Sequence, residues 1–147
     1  MRTLLRDGNF FECPRWHQGR WWVSDMYRRV VLTVTPEGRA DNILAVEGRP
    51  SGLGWMPDGS LLVVSMRERR ILRRSPGDGV SEHADLSPHC GGDLNELVVD
   101  RRGVHTRATS ASISRRARTR SRRLCWSWNR TAPPGSRPRT CASPTAR

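Results

Sequence analysis

The chain lacks lysine altogether, and it lacks acidic residues after Asp100. All 26 basic residues are arginine, which we attribute to the codon usage of a GC-rich genome and not to a binding strategy. Residues 1–103 carry 15 Arg against 14 acidic residues, whereas residues 104–147 carry 11 Arg and no acid. The net charge of +12 therefore belongs almost entirely to the last third, so it does not classify the whole protein as a nucleic-acid binder.

Paired cysteines and long apolar runs are also missing. Cys13, Cys90, Cys125 and Cys141 form no C-x-x-C pair, which excludes the usual spacing of zinc and thioredoxin-like sites. Four scattered cysteines favour free thiols over a disulfide framework. The first ten residues lack the apolar segment of a signal peptide, and runs such as 61–64 are far too short to span a membrane. We therefore expect a cytoplasmic protein with no membrane partner.

Short strands separated by turns are predicted throughout residues 1–103. Apolar, β-branched or aromatic runs occur at 21–24, 30–34, 61–65 and 71–72, and Gly, Pro or Asp residues bound them. No segment has an apolar period long enough to predict a helix. The sequence therefore predicts an all-β fold.

The strands and turns also repeat along the chain. Residues 16–19 align with 55–59, residues 36–38 align with 76–79, and a third copy begins at Leu97. The period of about forty residues is typical of one four-stranded propeller blade. The sequence therefore predicts two to three blades, and a small β-sandwich of hairpins is the alternative. Because blades bury their faces only against neighbouring blades, we expect no closed ring.

Two polar residues are candidate ligands. Glu12 precedes a turn fixed by Pro14, where a carboxylate oxygen can face a hard divalent cation. Asn95 offers an amide at the start of a strand. Taken singly, such residues are more often a surface acid and a turn residue. The four histidines show neither metal-ligand spacing nor a catalytic partner: His17, His83, His89 and His105.

Five short motifs follow one another in the first part of the chain. They are Glu-Cys-Pro-Arg-Trp at 12–16, Trp-Val-Ser-Asp-Met at 22–26, Gly-Arg-Pro-Ser-Gly-Leu-Gly-Trp at 48–55, Pro-Asp-Gly-Ser-Leu-Leu-Val-Val at 57–64 and Asn-Glu-Leu-Val-Val-Asp at 95–100. Their order and spacing resemble the senescence-marker-protein/gluconolactonase/luciferin-regenerating-enzyme family over roughly residues 9–103. Glu96 stands where that family usually has Asp.

The resemblance implies a six-bladed β-propeller that hydrolyses sugar lactones or related esters. It implies one divalent cation, calcium or zinc, in the central channel, acting as a Lewis acid. Glu12 matches the family's first metal-binding carboxylate, and Asn95 matches an Asn that lines the substrate pocket. The family's later Phe-Pro-Asn-Gly segment and its later Asp, a ligand and base, do not occur in this chain. We therefore expect a truncated relative that holds no cation and is inactive.

Residues 104–147 suggest an origin for this loss. After Val-Val-Asp-x-x-Gly the family commonly reads Ala-Tyr-x-Gly-Asn-Phe-Gly-Phe-Asp-Leu. We back-translated the chain and read each new codon from the third base of one codon and the first two bases of the next. In this shifted frame, residues 104–114 permit codons for the motif in order, and residues 142–146 permit codons for Phe-Pro-Asn-Gly. We therefore interpret residues 1–103 as a partial β-propeller. Residues 104–147 are then a disordered Arg-rich tail, translated out of frame after a one-base loss near Gly103.

A second interpretation keeps the propeller and gives the tail a role. Eleven arginines with Trp126 and Trp128 between them can neutralise phosphates and stack on bases. The alternative is therefore a β-propeller binding scaffold with a nucleic-acid-binding tail. We favour the hydrolase relative, with a small sugar lactone as the family's substrate and no specific nucleic-acid partner. We expect a monomer that is prone to aggregate, because an open blade edge leaves backbone groups unpaired.

Overall fold

The computed structural model describes residues 3–100, 103–108, 124–129 and 139–140. Every element in these ranges is a β-strand. The first sheet contains β1 (Phe11–His17), β2 (Arg20–Asp25), β3 (Val30–Val34) and β4 (Ala40–Ala45). The second contains β5 (Pro50–Trp55), β6 (Leu61–Ser65), β7 (Arg70–Arg74) and β8 (Val80–Asp85). The third contains β9 (Glu96–Val99), β10 (Gly103–Ala108), β11 (Leu124–Asn129) and β12 (Arg139–Thr140).

Within each sheet, strands that are consecutive in sequence pair antiparallel, so each sheet is a meander. Asp25 pairs with Val30 in the first sheet and Ser65 pairs with Arg70 in the second, so equivalent positions lie 40 residues apart. This register confirms the repeat that the sequence predicts. The all-β fold is confirmed as well, since the described residues form no helix. In particular, none of them belongs to a helix long and apolar enough to cross a membrane.

The core lies between the sheets, and β6 is at its centre. All five residues of β6 are buried, which its unbroken Leu-Leu-Val-Val run favours. Because alternate side chains of a strand point to opposite faces, Leu61 and Val63 join one apolar cluster while Leu62 and Val64 join another. The first cluster packs against Leu53 of β5. One face of β6 therefore packs toward β1 and the other toward β9, and both of these strands contact β5.

The sequence predicts an unstructured tail beyond residue 103. In that region the structure describes three strands, and β10 pairs with both β9 and β11. The short strand β12 pairs with β11 at the edge of the third sheet. The remainder of the predicted tail, residues 109–123, 130–138 and 141–147, lies outside the described residues.

Candidate functional site

The first strands of the three sheets, β1, β5 and β9, meet at a cavity of about 280 Å³. Both residues selected from the sequence, Glu12 and Asn95, line it. The described residues that line it are Glu12, Cys13, Pro14, Arg15, Gly52, Asn95 and Glu96. The fold therefore brings together side chains that are more than eighty positions apart in sequence. His17, His83 and His89 are not among these described lining residues.

A β-bulge sets the position of Glu12. The pairing of β1 with β2 shifts register between Glu12 and Arg15, and Cys13 has a φ of 51°. A bulge inserts an extra residue, bends the strand and re-aims its side chains. Pro14 suits this irregular stretch because it has no N–H to donate to a ladder. The Leu53 N–H of β5 donates to Cys13 Sγ at 3.2 Å and ties the bulge to the second sheet.

The carboxylate of Glu12 is held in an unfavourable environment. One of its oxygens, Oε2, is buried and has no hydrogen-bond partner among the described residues. Burial raises the pKa of Glu12, and the nearby carboxylate of Glu96 raises it further. A buried oxygen without a donor is costly unless something positive compensates it. The site therefore has an oxygen suited to bind a cation.

The backbone carbonyl of Asn95 is held by two donors from β5. The Gly52 N–H donates to it at 3.0 Å, and the Ser51 hydroxyl donates at 2.5 Å. Ser51 is almost fully buried, with 1% of its surface exposed. These contacts fix the backbone at the start of β9, so that Asn95 and Glu96 both face the cavity.

Gly52 is required where β5 and β9 approach each other. A Cβ at this position would lie 2.4 Å from the Leu97 nitrogen and 2.9 Å from the Asn95 oxygen, both backbone atoms. Backbone cannot swing aside as a flexible side chain can, so the two strands would have to separate. A larger residue here would therefore widen the cavity as well as strain the core.

We expect Gly52→Ala to destabilise the chain by about 2 kcal/mol, the usual cost of overpacking a buried site. Urea unfolding monitored by tryptophan fluorescence measures the change. Gly91→Ala is the matched control, because a Cβ at Gly91 meets nothing within 4 Å. Equal unfolding midpoints for the two variants would contradict the close approach of β5 and β9.

A second cavity, of about 300 Å³, follows the same three strands further along. Its lining includes Trp16, Trp55 and Val98, so it is more apolar in residue type than the first. His17 stacks on Trp55 with ring centroids 4.1 Å apart, and burial lowers its pKa. This histidine packs within an aromatic cluster, which is consistent with the non-catalytic interpretation.

The donor set can be judged by its chemistry. Glu12, Asn95 and Glu96 all offer oxygen atoms, which suit a hard cation such as calcium better than zinc. In the described part of the chain, however, no group of three or more His, Cys, Asp or Glu side chains is placed to hold a metal ion. The residues present therefore fit part of a coordination shell.

The sequence selected Glu12 and Asn95 but not the residues that support them. Glu96 was noted only as a departure from a family motif, and Ser51 and Cys13 carried no functional assignment. The contact of Ser51 joins residues 44 positions apart and that of Cys13 joins residues 40 positions apart, so no local sequence pattern indicates them. These supporting contacts could therefore be identified only from the packed sheets.

Comparison with known proteins agrees with this geometry. The protein-family model described as the SMP-30/gluconolactonase/LRE-like region matches residues 10–125, which extends beyond residue 103. No curated protein sequence matches the chain.

Three solved structures share the fold. A gluconolactonase from Xanthomonas campestris has a TM-score of 0.73 at 20% identity, covering 95% of this chain and 49% of its own. A structural-genomics target provisionally assigned as a gluconolactonase has a TM-score of 0.65 at 16% identity, covering 86% and 47%. A catalytically inactive variant of virginiamycin B lyase from Staphylococcus aureus, solved with quinupristin, has a TM-score of 0.64 at 12% identity, covering 95% and 43%. The chain thus spans about half the length of these structures or less.

Proposed function

Because the chain belongs to the SMP-30/gluconolactonase/LRE-like family, we propose that it derives from a metal-dependent hydrolase of sugar lactones. We propose further that Glu12 is a metal-binding carboxylate and Asn95 a substrate-binding residue. One observation supports this assignment above the others. Among the described residues, the buried Oε2 of Glu12 has no hydrogen-bond partner, and Glu12 lines the same cavity as Asn95, which directly precedes β9.

Each residue of the site has a role in such a reaction. A divalent cation, when bound, supplies Lewis-acid polarisation of a carbonyl. Glu12 would hold that cation, and the amide of Asn95 can both donate to and accept from a sugar hydroxyl. The cavity of about 280 Å³ lies near the lower end of the range for ligand pockets, which favours a substrate of monosaccharide size.

The sequence predicts that this chain is inactive and holds no cation. We keep the proposal of inactivity, but because the buried Glu12 Oε2 has no partner among the described residues, we propose weak cation binding instead of none. Its described residues provide no group of three acidic, histidine or cysteine side chains around one point. The chain also lacks the family's Phe-Pro-Asn-Gly segment and its later Asp, so the catalytic base is unassigned. Calcium remains the preferred cation on the oxygen-only donor set, with zinc as the alternative.

We also propose that residues 104–147 are translated out of frame after a one-base loss near Gly103. The support is the recovery, in the shifted frame, of family motifs in their expected order. The nucleic-acid-binding scaffold is not favoured, because the family match and the shared fold both point to the hydrolase relatives.

The oligomeric state and compartment are proposals as well. We propose a cytoplasmic monomer that aggregates readily. Several large apolar side chains of β1 and β9, and of the residue before β1, are exposed to solvent: Phe10, Phe11, Trp16 and Val98. Such surface favours self-association when nothing covers it.

Glu12→Gln tests the metal assignment through two opposite effects. The substitution should abolish cation binding at the cavity, and it should stabilise the cation-free chain at neutral pH. The second effect follows because the raised pKa of Glu12 means that folding penalises its charged form. That penalty is absent below the ordinary Glu pKa, grows between that value and the raised pKa, and is complete above it, so the variant's advantage should be absent at pH 3 and present at neutral pH.

Thermal unfolding from pH 3 to pH 8, with and without calcium, measures both effects. Glu47→Gln is the matched control, since Glu47 forms an exposed ion pair with Arg29 and lies outside the cavity lining. Calcium should raise the midpoint of the parent and of the control but not of Glu12→Gln. An identical calcium response in all three proteins would refute the assignment of Glu12.

A further inference from the structure

Three consecutive residues of β5 contact both sides of the candidate site. Ser51 and Gly52 donate hydrogen bonds to the Asn95 carbonyl oxygen. The next residue, Leu53, donates its N–H to Cys13 Sγ, which belongs to the bulge beside Glu12. One short stretch of the second sheet therefore holds a segment of the first sheet and a segment of the third.

A further hydroxyl extends this connection. Glu12 pairs with Ser24 across β1 and β2, and the Ser24 hydroxyl donates to the Ser51 carbonyl oxygen at 2.7 Å. The chain of contacts therefore runs from the strand partner of Glu12, through Ser51, to the backbone of Asn95. Ser24 and Ser51 are 0% and 1% exposed, so water does not compete for these bonds.

We propose that residues 51–53, the β5 bracket, set the separation and orientation of Glu12 and Asn95. Ser51 is its principal positioning residue, because its hydroxyl and its carbonyl each join a different sheet. The geometric part of this inference stands on the contacts alone. Its consequence for cation binding rests on the proposed function.

The pairing registers of the strands relate the position of Ser51 to that of Glu12. Phe11 pairs with Asp25 and Pro50 pairs with Ser65, so Ser51 occupies in the second sheet the place that Glu12 occupies in the first. Burying a hydroxyl in an apolar core costs free energy unless it is hydrogen-bonded. In the described part of the chain, the Ser51 hydroxyl meets this condition through the Asn95 carbonyl oxygen, which couples its burial to the position of the site residue.

The first test uses the cation-free chain labelled with ¹⁵N. In Ser51→Ala, we expect the order parameters of the Asn95 backbone and side-chain amides to fall from about 0.85 toward 0.6, the range of flexible groups. Ser60→Ala is the matched control, because Ser60 is also 1% exposed and directly precedes β6 of the same sheet, while its described backbone hydrogen bonds join Met56 and Asp58, away from the cavity. Ser51→Thr keeps the hydroxyl and should preserve the order of Asn95.

The second test adds Mn²⁺ and follows paramagnetic broadening of the Gly52, Asn95 and Glu96 amide signals, which detects weak binding. Ser51→Ala should raise the Mn²⁺ concentration for half-broadening about tenfold, as expected when a group that orients a ligand is lost. Ser60→Ala and Ser51→Thr should stay within about twofold of the parent.

The outcomes separate the inference from the function on which it draws. Unchanged Asn95 order in Ser51→Ala would overturn the β5 bracket, as would an equal loss of order in Ser60→Ala. If Mn²⁺ broadens no cavity signal even in the parent, the proposed cation site fails, while the order parameters still decide the bracket. If Ser51→Ala does not fold, Cys13→Ala, which removes the acceptor of the Leu53 N–H, tests the other arm through loss of order at Glu12.

Discussion

If the chain is inactive because its frame is shifted, as we propose, restoring the frame after codon 103 should yield a lactone hydrolase with a turnover at least about a thousandfold above that of the present chain. The expected gain is large because the shifted frame permits the family segments that this chain lacks, among them Phe-Pro-Asn-Gly. These segments would add ligands and a base to a site that has Glu12 and Asn95 already in place. A partial coordination shell gives weak binding, whereas a complete one permits metal-assisted hydrolysis.

The measurement is hydrolysis of a sugar lactone with calcium, zinc or manganese, by the 147-residue chain and by the product of the restored frame. Restored chain carrying Glu12→Gln is the control, and a chelator should remove the activity of the unmutated restored chain. Metal-dependent turnover by the 147-residue chain would contradict its proposed inactivity. A stop codon soon after codon 103 in the shifted frame, with no further repeats, would contradict the frame hypothesis itself.

The elements that the sequence predicted are those whose burial leaves a local pattern. The β3 and β6 strands are buried at every position and appear in the sequence as unbroken apolar runs. The sequence did not predict β4 and β8, the last strands of the first two sheets, because they are partly exposed and carry residues such as Asn42 and Glu82. Their pairing depends on the strands beside them, which a single-segment pattern does not encode.

The residues of the candidate site also fall into two groups, those that a sequence pattern identifies and those that only the packing of the sheets reveals. Glu12 and Asn95 were identified because the residues around them form motifs of a family, and the structure places both on one cavity. The supporting contacts of Ser51 and Cys13 join strands of different sheets, so they follow from how the sheets pack. The third sheet was foreseen only at its first strand, since residues beyond Gly103 carry no apolar period.

The largest stability effect of a single substitution should come from Asp25→Ala, which we expect to cost about 3 kcal/mol. Asp25 is 0% exposed, and its side-chain oxygens accept from the N–H groups of Asn9, Phe10 and Arg28 at 3.0, 3.3 and 3.2 Å. Alanine would leave all three donors without this acceptor. The loss would also release the segment that leads into β1 at Phe11, the strand partner of Asp25 and the neighbour of Glu12.

Urea unfolding of Asp25→Ala, Asp25→Asn and Thr33→Val separates this effect from the general cost of changing a buried polar residue. Asn keeps one acceptor oxygen and should lose about half as much stability. Thr33 is 2% exposed and its hydroxyl has no partner among the described residues, so Thr33→Val should be neutral or stabilising. If Asp25→Ala unfolds within about 1 kcal/mol of the parent, the carboxylate does not anchor the start of β1. The bulge that aims Glu12 would then depend on the pairing of β1 with β2 and on the Cys13 contact with β5.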